Sequence, residues 1–196
     1  MYGENSAAQP GKIPLENMAV DFSQGMLNHT GRNMDLAISG KGFFSVETTK
    51  GTLYTRGGSF QLDQNRRLVD ASGRNIAGIS GPVTIPPGVD LRSISITPEG
   101  SLSSKGQNFG KLKITEFEND SLLLPVGESC FQADENAQIS DTTNSQVNQG
   151  YLEKSNVSMV EELVDLIAVS RLYEANVKIA KSQDQSTENI IRLAMS

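Results

Sequence analysis

Ser158-Met159-Val160-Glu161-Glu162-Leu163-Val164-Asp165-Leu166-Ile167 opens a run that reaches Met195 without a proline or a glycine. Nothing local stops a helix there, and the start is marked. Ser158 with Glu161 three positions on has the spacing of a capping box, each side chain satisfying an orphan N–H. Glu161, Glu162 and Asp165 then lie near the positive end of the helix dipole. Met159, Leu163, Leu166, Tyr173, Val177 and Ala180 follow in steps of four and three, with Ser170 in the gap. That is the 3.5-residue period of a coiled-coil seam. At roughly 100° per residue, Val160, Val164 and Ile167 widen the apolar face on one side. Further along, Val169, Leu172, Ala175 and Ile179 lie on the opposite flank, while Glu174 and Lys178 occupy the side that was apolar. The face to be buried shifts around the axis, so several neighbours are needed to cover it.

Upstream, the pattern changes from helical to short and punctuated. Gln138 to Gln149 is rich in Ser, Thr, Asn and Gln and reads as a solvated connector. Asp35-Leu36-Ala37-Ile38 and Phe43-Phe44-Ser45-Val46-Glu47 are strand-like, and Ser39-Gly40-Lys41-Gly42 between them carries a hairpin signal. Lys50-Gly51 turns the chain into Thr52–Arg56. Ser59–Leu62 and Arg67–Val69 flank the turn Asp63-Gln64-Asn65-Arg66. Ser93–Ile96 alternates polar with apolar, and Lys111–Phe117 does so most cleanly. Leu122–Leu124 and Cys130-Phe131 are further short strands. Glycine, at 18 residues, suits many tight turns. The expected fold is mainly β: an antiparallel domain of short strands plus a coiled-coil-type terminal helix. The expected divisions are an extended N-terminal segment over 1–33, the β domain over 34–137, a connector over 138–157, and the helix over 158–196.

Composition narrows the chemistry. A net charge of −6 with scattered basic residues argues against nucleic acid. One histidine, His29, and one cysteine, Cys130, do not make a metal site. His29 sits in a polar turn beside Asn28 and Thr30, a poor place for a general base. Cys130, next to Phe131, reads as a small buried hydrophobe. Gly40-Lys41-Gly42 has no helix after it, so a turn is favoured over a phosphate cradle. Asp63, Asp70 and Asp90 lie in turns, where aspartates cap backbone N–H groups. No active site, cofactor or small-molecule substrate is indicated. Residues 1–20 lack the apolar core of a secretory signal, and no apolar run approaches a membrane span.

Three ordered motifs then resemble one family. Asp21-Phe22-Ser23-Gln24-Gly25, Thr30-Gly31 and Asp35-Leu36-Ala37-Ile38-x-Gly40-x-Gly42-Phe43-Phe44 form the first. Tyr54-Thr55-Arg56-x-Gly58-x-Phe60 with Leu68-Val69 is the second. Gly150-x-Leu152-Glu153-x-Ser155-Asn156-Val157 with Val160-Glu161-Glu162 and Arg171-x-Tyr173-Glu174-x-Asn176 is the third. Together they resemble the bacterial flagellar basal-body rod and hook proteins over residues 20 to 180. Phe117-Glu118-Asn119 and the short middle region lean toward the proximal-rod member over the distal rod.

The resemblance implies a structural subunit of the rod, not an enzyme. It implies a β domain outside a tube and terminal helices lining it. It also implies axial partners (rod and hook subunits and further copies of the chain), export by the flagellar type III apparatus without a cleaved signal, and a place in the basal body across the periplasm. Met159, Leu163, Leu166, Ile167, Tyr173 and Val177 become the candidate assembly interface. The alternative from another class is a secreted β-rich adhesin or binding module, which would need an exposed aromatic platform. Two departures stand out. Arg66 occupies the place of a turn glycine, so Asn65 is expected to take the left-handed conformation. The family also begins with an N-terminal helix that pairs with the C-terminal one, and nothing before Ile13 resembles it; the expectation is a truncated chain or a helix without its usual partner.

Overall fold

A computed structural model describes residues 20–140 and 144–195. Of the extended segment expected over 1–33, residues 1–19 lie outside the described residues. The chain divides into two compact units, Met1–Lys154 and Ser155–Ser196. The first is built from short antiparallel strands; the second holds a single helix, Met159–Ala194, of 36 residues.

The β unit is organised on Phe43–Thr48. This strand pairs with Gly51–Thr55 on one edge, and with Asn75–Gly78 and Ile114–Thr115 on the other. Because neighbours flank it on both sides, the sheet grows outward to Cys130–Ala133 and Leu123–Gly127 in one direction. In the other it reaches Leu68–Val69 and Gln61–Leu62. Phe43, Phe44, Ser45 and Val46 are all buried. Successive side chains point to opposite faces of a strand, so this run feeds two cores. Phe44 and Val46 join the larger one, with Leu36, Ile38, Leu68, Ile76 and Leu112 among its members. Phe43 joins a smaller aromatic one with Tyr54, Phe117 and Leu123. Ser45, on the Phe43 side, is satisfied by the Thr115 hydroxyl at 2.9 Å.

Four expectations are corrected. Leu36–Ser39 and Phe43–Thr48 do not form a hairpin; Leu36–Ser39 pairs instead with Gln146–Gln149. Gly40 and Gly42 turn a corner between two sheets, and Ser145 fills that corner. Its hydroxyl accepts the Gly42 N–H at 2.8 Å, and a Cβ on Gly40 would lie 2.8 Å from the same oxygen. The connector is not solvated throughout: 138–157 contains Gln146–Gln149 and Tyr151–Glu153, both strands of the β unit. The N-terminal segment likewise contributes Leu27–His29, which pairs with Tyr151–Glu153. The β unit therefore starts before residue 34 and runs to Lys154. Lys111–Phe117 is not one strand either. Gln107–Lys111 pairs with Ser101–Ser104, while Ile114–Thr115 pairs with Phe43–Phe44.

The hairpin Gln61–Leu62 with Leu68–Val69 forms as read, but its turn differs. Arg66, not Asn65, has the positive φ, at 59°. Its guanidinium donates to the carbonyls of Ile85 and Val89 at 3.0 Å each, which offsets the left-handed cost of about 1–2 kcal/mol. Arg66→Gly relieves that cost but loses two charge-assisted bonds of about 1.5–3 kcal/mol each. Urea unfolding should therefore show a net loss of about 1–5 kcal/mol. A gain in stability would mean that those bonds contribute nothing.

Candidate assembly interface

Residues from the three sequence motifs that belong to the β unit come together where the chain enters and leaves it. The Thr30 and Gly31 N–H groups donate to the Gly150 carbonyl at 2.8 and 3.2 Å, and the Gly150 N–H donates to the Asp35 carbonyl at 2.7 Å. Leu27–His29 and Tyr151–Glu153 continue this clasp as a ladder, with Leu27 opposite Glu153. Phe22 packs edge-on against Phe43 and Phe131, with ring centres 5.7 and 5.0 Å apart. Gln24 bridges the Ile38 carbonyl and the Gly40 N–H. Below them Arg56 stands 5.0 Å over the Phe43 ring and 3.5 Å from the Glu153 carboxylate. Glu153 also accepts the Gly25 N–H at 2.8 Å. The clasp fixes the two chain segments side by side.

Its charged centre is Asp35, whose side chain is 1 % exposed. The carboxylate accepts from the Thr30 hydroxyl at 2.6 Å and from two nitrogens of Arg32. Burial alone pushes this carboxyl up; the hydrogen bonds from Arg32 and Thr30 and the Arg32 charge outweigh it, and the net direction is down. A carboxylate held below its ordinary value stabilises the fold fully above the unfolded value near 3.9, and that contribution fades as pH falls through the folded value. Asp35→Asn should cost about 1–3 kcal/mol at neutral pH, the usual penalty for breaking buried bonds to a charged group. The gap to the unmodified chain should close as pH drops below about 4. Urea melts at several pH values would show it, and a pH-independent gap would remove Asp35 as the cause.

The six residues expected at the interface all lie on the helix. Met159, Leu163, Leu166, Ile167 and Tyr173 are exposed by half or more, and Val177 is half-buried. At 1.5 Å per residue the helix is about 54 Å long. The capping box does not form: Ser158 is the N-cap and its carbonyl accepts the Glu162 N–H at 3.1 Å, but its side chain makes no cap bond.

The other candidates fall into structural roles. His29 lies in a strand, not a turn, with its ring 4.9 Å from that of Tyr151. Cys130 is buried, and burial pushes its thiol up, away from the reactive thiolate. Asp63, Asp70 and Asp90 each accept backbone N–H groups within their turns. Phe22, Phe43, Phe117 and Phe131 pack on one another inside the domain, where they offer no platform to a ligand. Among the described residues, no helix is long and apolar enough to cross a membrane.

Sequence reading quoted most residues of the clasp, though neither Arg32 nor Tyr151, without seeing that they meet. Arg56 and Glu153 were legible only as members of separate motifs, because nothing in a linear pattern pairs two residues so far apart.

A small β unit clasped where the chain enters and leaves it, followed by a long helix with an exposed apolar face, defines a structural subunit built for packing. The family description "Flagellar hook protein FlgE/F/G D1 domain" matches residues 37–104, and "Flagellar basal body rod FlgEFG protein C-terminal" matches residues 148–193. The chain is 37% identical over 183 residues to the flagellar basal-body rod protein FlgG of Buchnera aphidicola subsp. Schizaphis graminum, covering 88% of this chain and 69% of that protein. It is 32% identical over 176 residues to FlgG of Bacillus subtilis, covering 84% and 66%. It is also 32% identical over 183 residues to the rod protein FlgF of Caulobacter vibrioides, covering 92% and 73%. The chain belongs to the flagellar basal-body rod protein family. It spans about two thirds of the length of these relatives.

Proposed function

We propose that this chain is a structural subunit of the flagellar basal-body rod, assembling with other axial proteins and with further copies of itself into the shaft that transmits torque. One observation carries the reading: a 36-residue helix whose apolar side chains, from Met159 to Leu193, are exposed along its length. Contiguous exposed apolar surface on this scale marks an association surface, and a lone helix gains little from propensity alone. In this reading Met159, Leu163, Leu166, Ile167, Tyr173 and Val177 pack against neighbouring helices inside the tube, and the β unit lies outside. The subunit reaches the periplasm through the flagellar type III apparatus, with no cleaved signal. The role is mechanical, and no catalytic step belongs to it.

The experiment is deletion of the gene followed by isolation of basal bodies. Deletion should leave basal bodies without a complete rod and cells that do not swim, and the restored protein should be recovered in the rod fraction. Complete rods in the deletion strain would overturn the reading.

A further inference from the structure

The apolar face of the helix is wider at its start than a helix-to-helix seam requires. Val160, Val164 and Ile167 lie beside the seam and are 70%, 58% and 53% exposed. Farther along, that same side carries Glu174 and Lys178. An extra partner is therefore needed over the first turns only, a span of about 10 Å. Glu161 borders this short apolar flank, and it too is exposed.

A surface of matching chemistry lies on the β unit. Met34, Phe60, Leu62 and Leu91 line an open groove of about 400 Å³, rimmed by Arg32 and Arg92. The rim is held in place. The Asn33 side-chain amide donates to the carbonyls of Leu91, Arg92 and Ile94 at 3.3, 2.9 and 3.3 Å. Asp90 accepts the Arg92 N–H at 3.0 Å. Arg32 is already neutralised by Asp35. Arg92 is exposed, and among the described residues its guanidinium has no bonding partner. The groove thus offers an apolar floor and one uncommitted positive charge. In a chain of net charge −6, copies repel one another in general, so a local cation is what would fix register.

We infer that this groove receives the first two turns of the C-terminal helix of a second copy, with Val160 and Val164 on the Phe60 floor and Glu161 against Arg92. The inference rests on the rod-subunit reading and adds a contact to it. The helix seam faces other helices, while its widened start faces a neighbouring β unit.

The test uses strains in which the variant is the only copy. Arg92→Glu and Glu161→Arg should each reduce the yield of complete rods at least tenfold, and the two together should restore it to within twofold of the unmodified level. In a second arm, Leu91→Cys with Val164→Cys should give a ladder of linked multimers on mild oxidation of isolated basal bodies. Neither single cysteine should do so, and buried Cys130 should not contribute. Complete rods without the ladder, or a double charge variant no better than the singles, would overturn the contact and leave the rod assignment intact. Failure to recover the unmodified protein in rods would instead remove the rod assignment itself.

Discussion

Cells whose only copy of the protein carries Leu166→Asp should make the subunit, fold its β unit, and fail to complete a rod or swim. Leu166 is 65% exposed on the isolated chain, so the change does little to the monomer. Its effect appears when the helix packs. Truncating a well-buried leucine costs about 2–5 kcal/mol, and aspartate adds an unpaired charge to an apolar contact, which costs more than a cavity. Each 1.4 kcal/mol is a factor of ten in association, so even the smaller figure leaves about thirtyfold weaker addition per subunit, repeated at every position of the tube. Glu174→Gln, at an exposed charged position on the same helix, should swim nearly normally. Motility assays together with a urea melt of the purified variant separate lost assembly from lost folding. Normal swimming by the Leu166→Asp strain would refute the tube-lining role.

What the sequence made legible was whatever is local. The helix has a period, and the period is carried by residues three and four apart. The hairpin between Gln61–Leu62 and Leu68–Val69 is announced by the turn between its strands, and so is the step from Phe43–Thr48 into Gly51–Thr55 at Lys50-Gly51. The closing strands had no such signal. Gln146-Val147-Asn148-Gln149 offers one apolar side chain, and alone it reads as a loop. It is a strand because Leu36–Ser39 supplies a backbone ladder and because Gln149 is fully used. The Gln149 amide donates to the carbonyls of Asn33 and Ile94 at 3.0 and 2.9 Å, and its oxygen accepts the Ile96 N–H at 3.1 Å. A polar residue placed by long-range bonds carries no periodicity. Arg66 was misread for the same reason: its left-handed backbone is held by carbonyls of Ile85 and Val89, well outside the turn. The apolar face of the helix was legible in its period and the clasp of the β unit was not, since each half of the clasp becomes meaningful only beside the other.

Gly58 shows how costly such a long-range approach can be, and Gly58→Ala should nearly unfold the β unit. The position is not a matter of backbone freedom, because its φ is one that any residue adopts. Space is the constraint: a Cβ there would lie 1.6 Å from the Leu36 carbonyl oxygen and 2.7 Å from its carbon. Both obstacles are backbone atoms of a buried strand and cannot rotate away. To reach ordinary contact near 3.4 Å, the two segments must separate by about 2 Å, which is incompatible with the bonds that join them. Those are the Leu36 N–H to the Gly58 carbonyl at 2.9 Å and the Phe60 N–H to the Met34 carbonyl at 3.1 Å. Separation also lifts Phe60 from Phe44, whose ring centre is 5.0 Å away in the larger core. Overpacking alone costs about 1–3 kcal/mol, and each buried group left unbonded adds about 1–3 kcal/mol. The sum is about 4 kcal/mol or more, a large part of the stability of a domain this size. Gly57→Ala is the control, because its Cβ would meet only the Thr55 hydroxyl, at 3.3 Å, and it should change stability by less than about 1 kcal/mol. Urea melts of the full chain, followed by a signal from the β unit, give both values. If Gly58→Ala melts within about 1 kcal/mol of the unmodified chain, the close approach of Gly58 to Leu36 is not what holds these segments together.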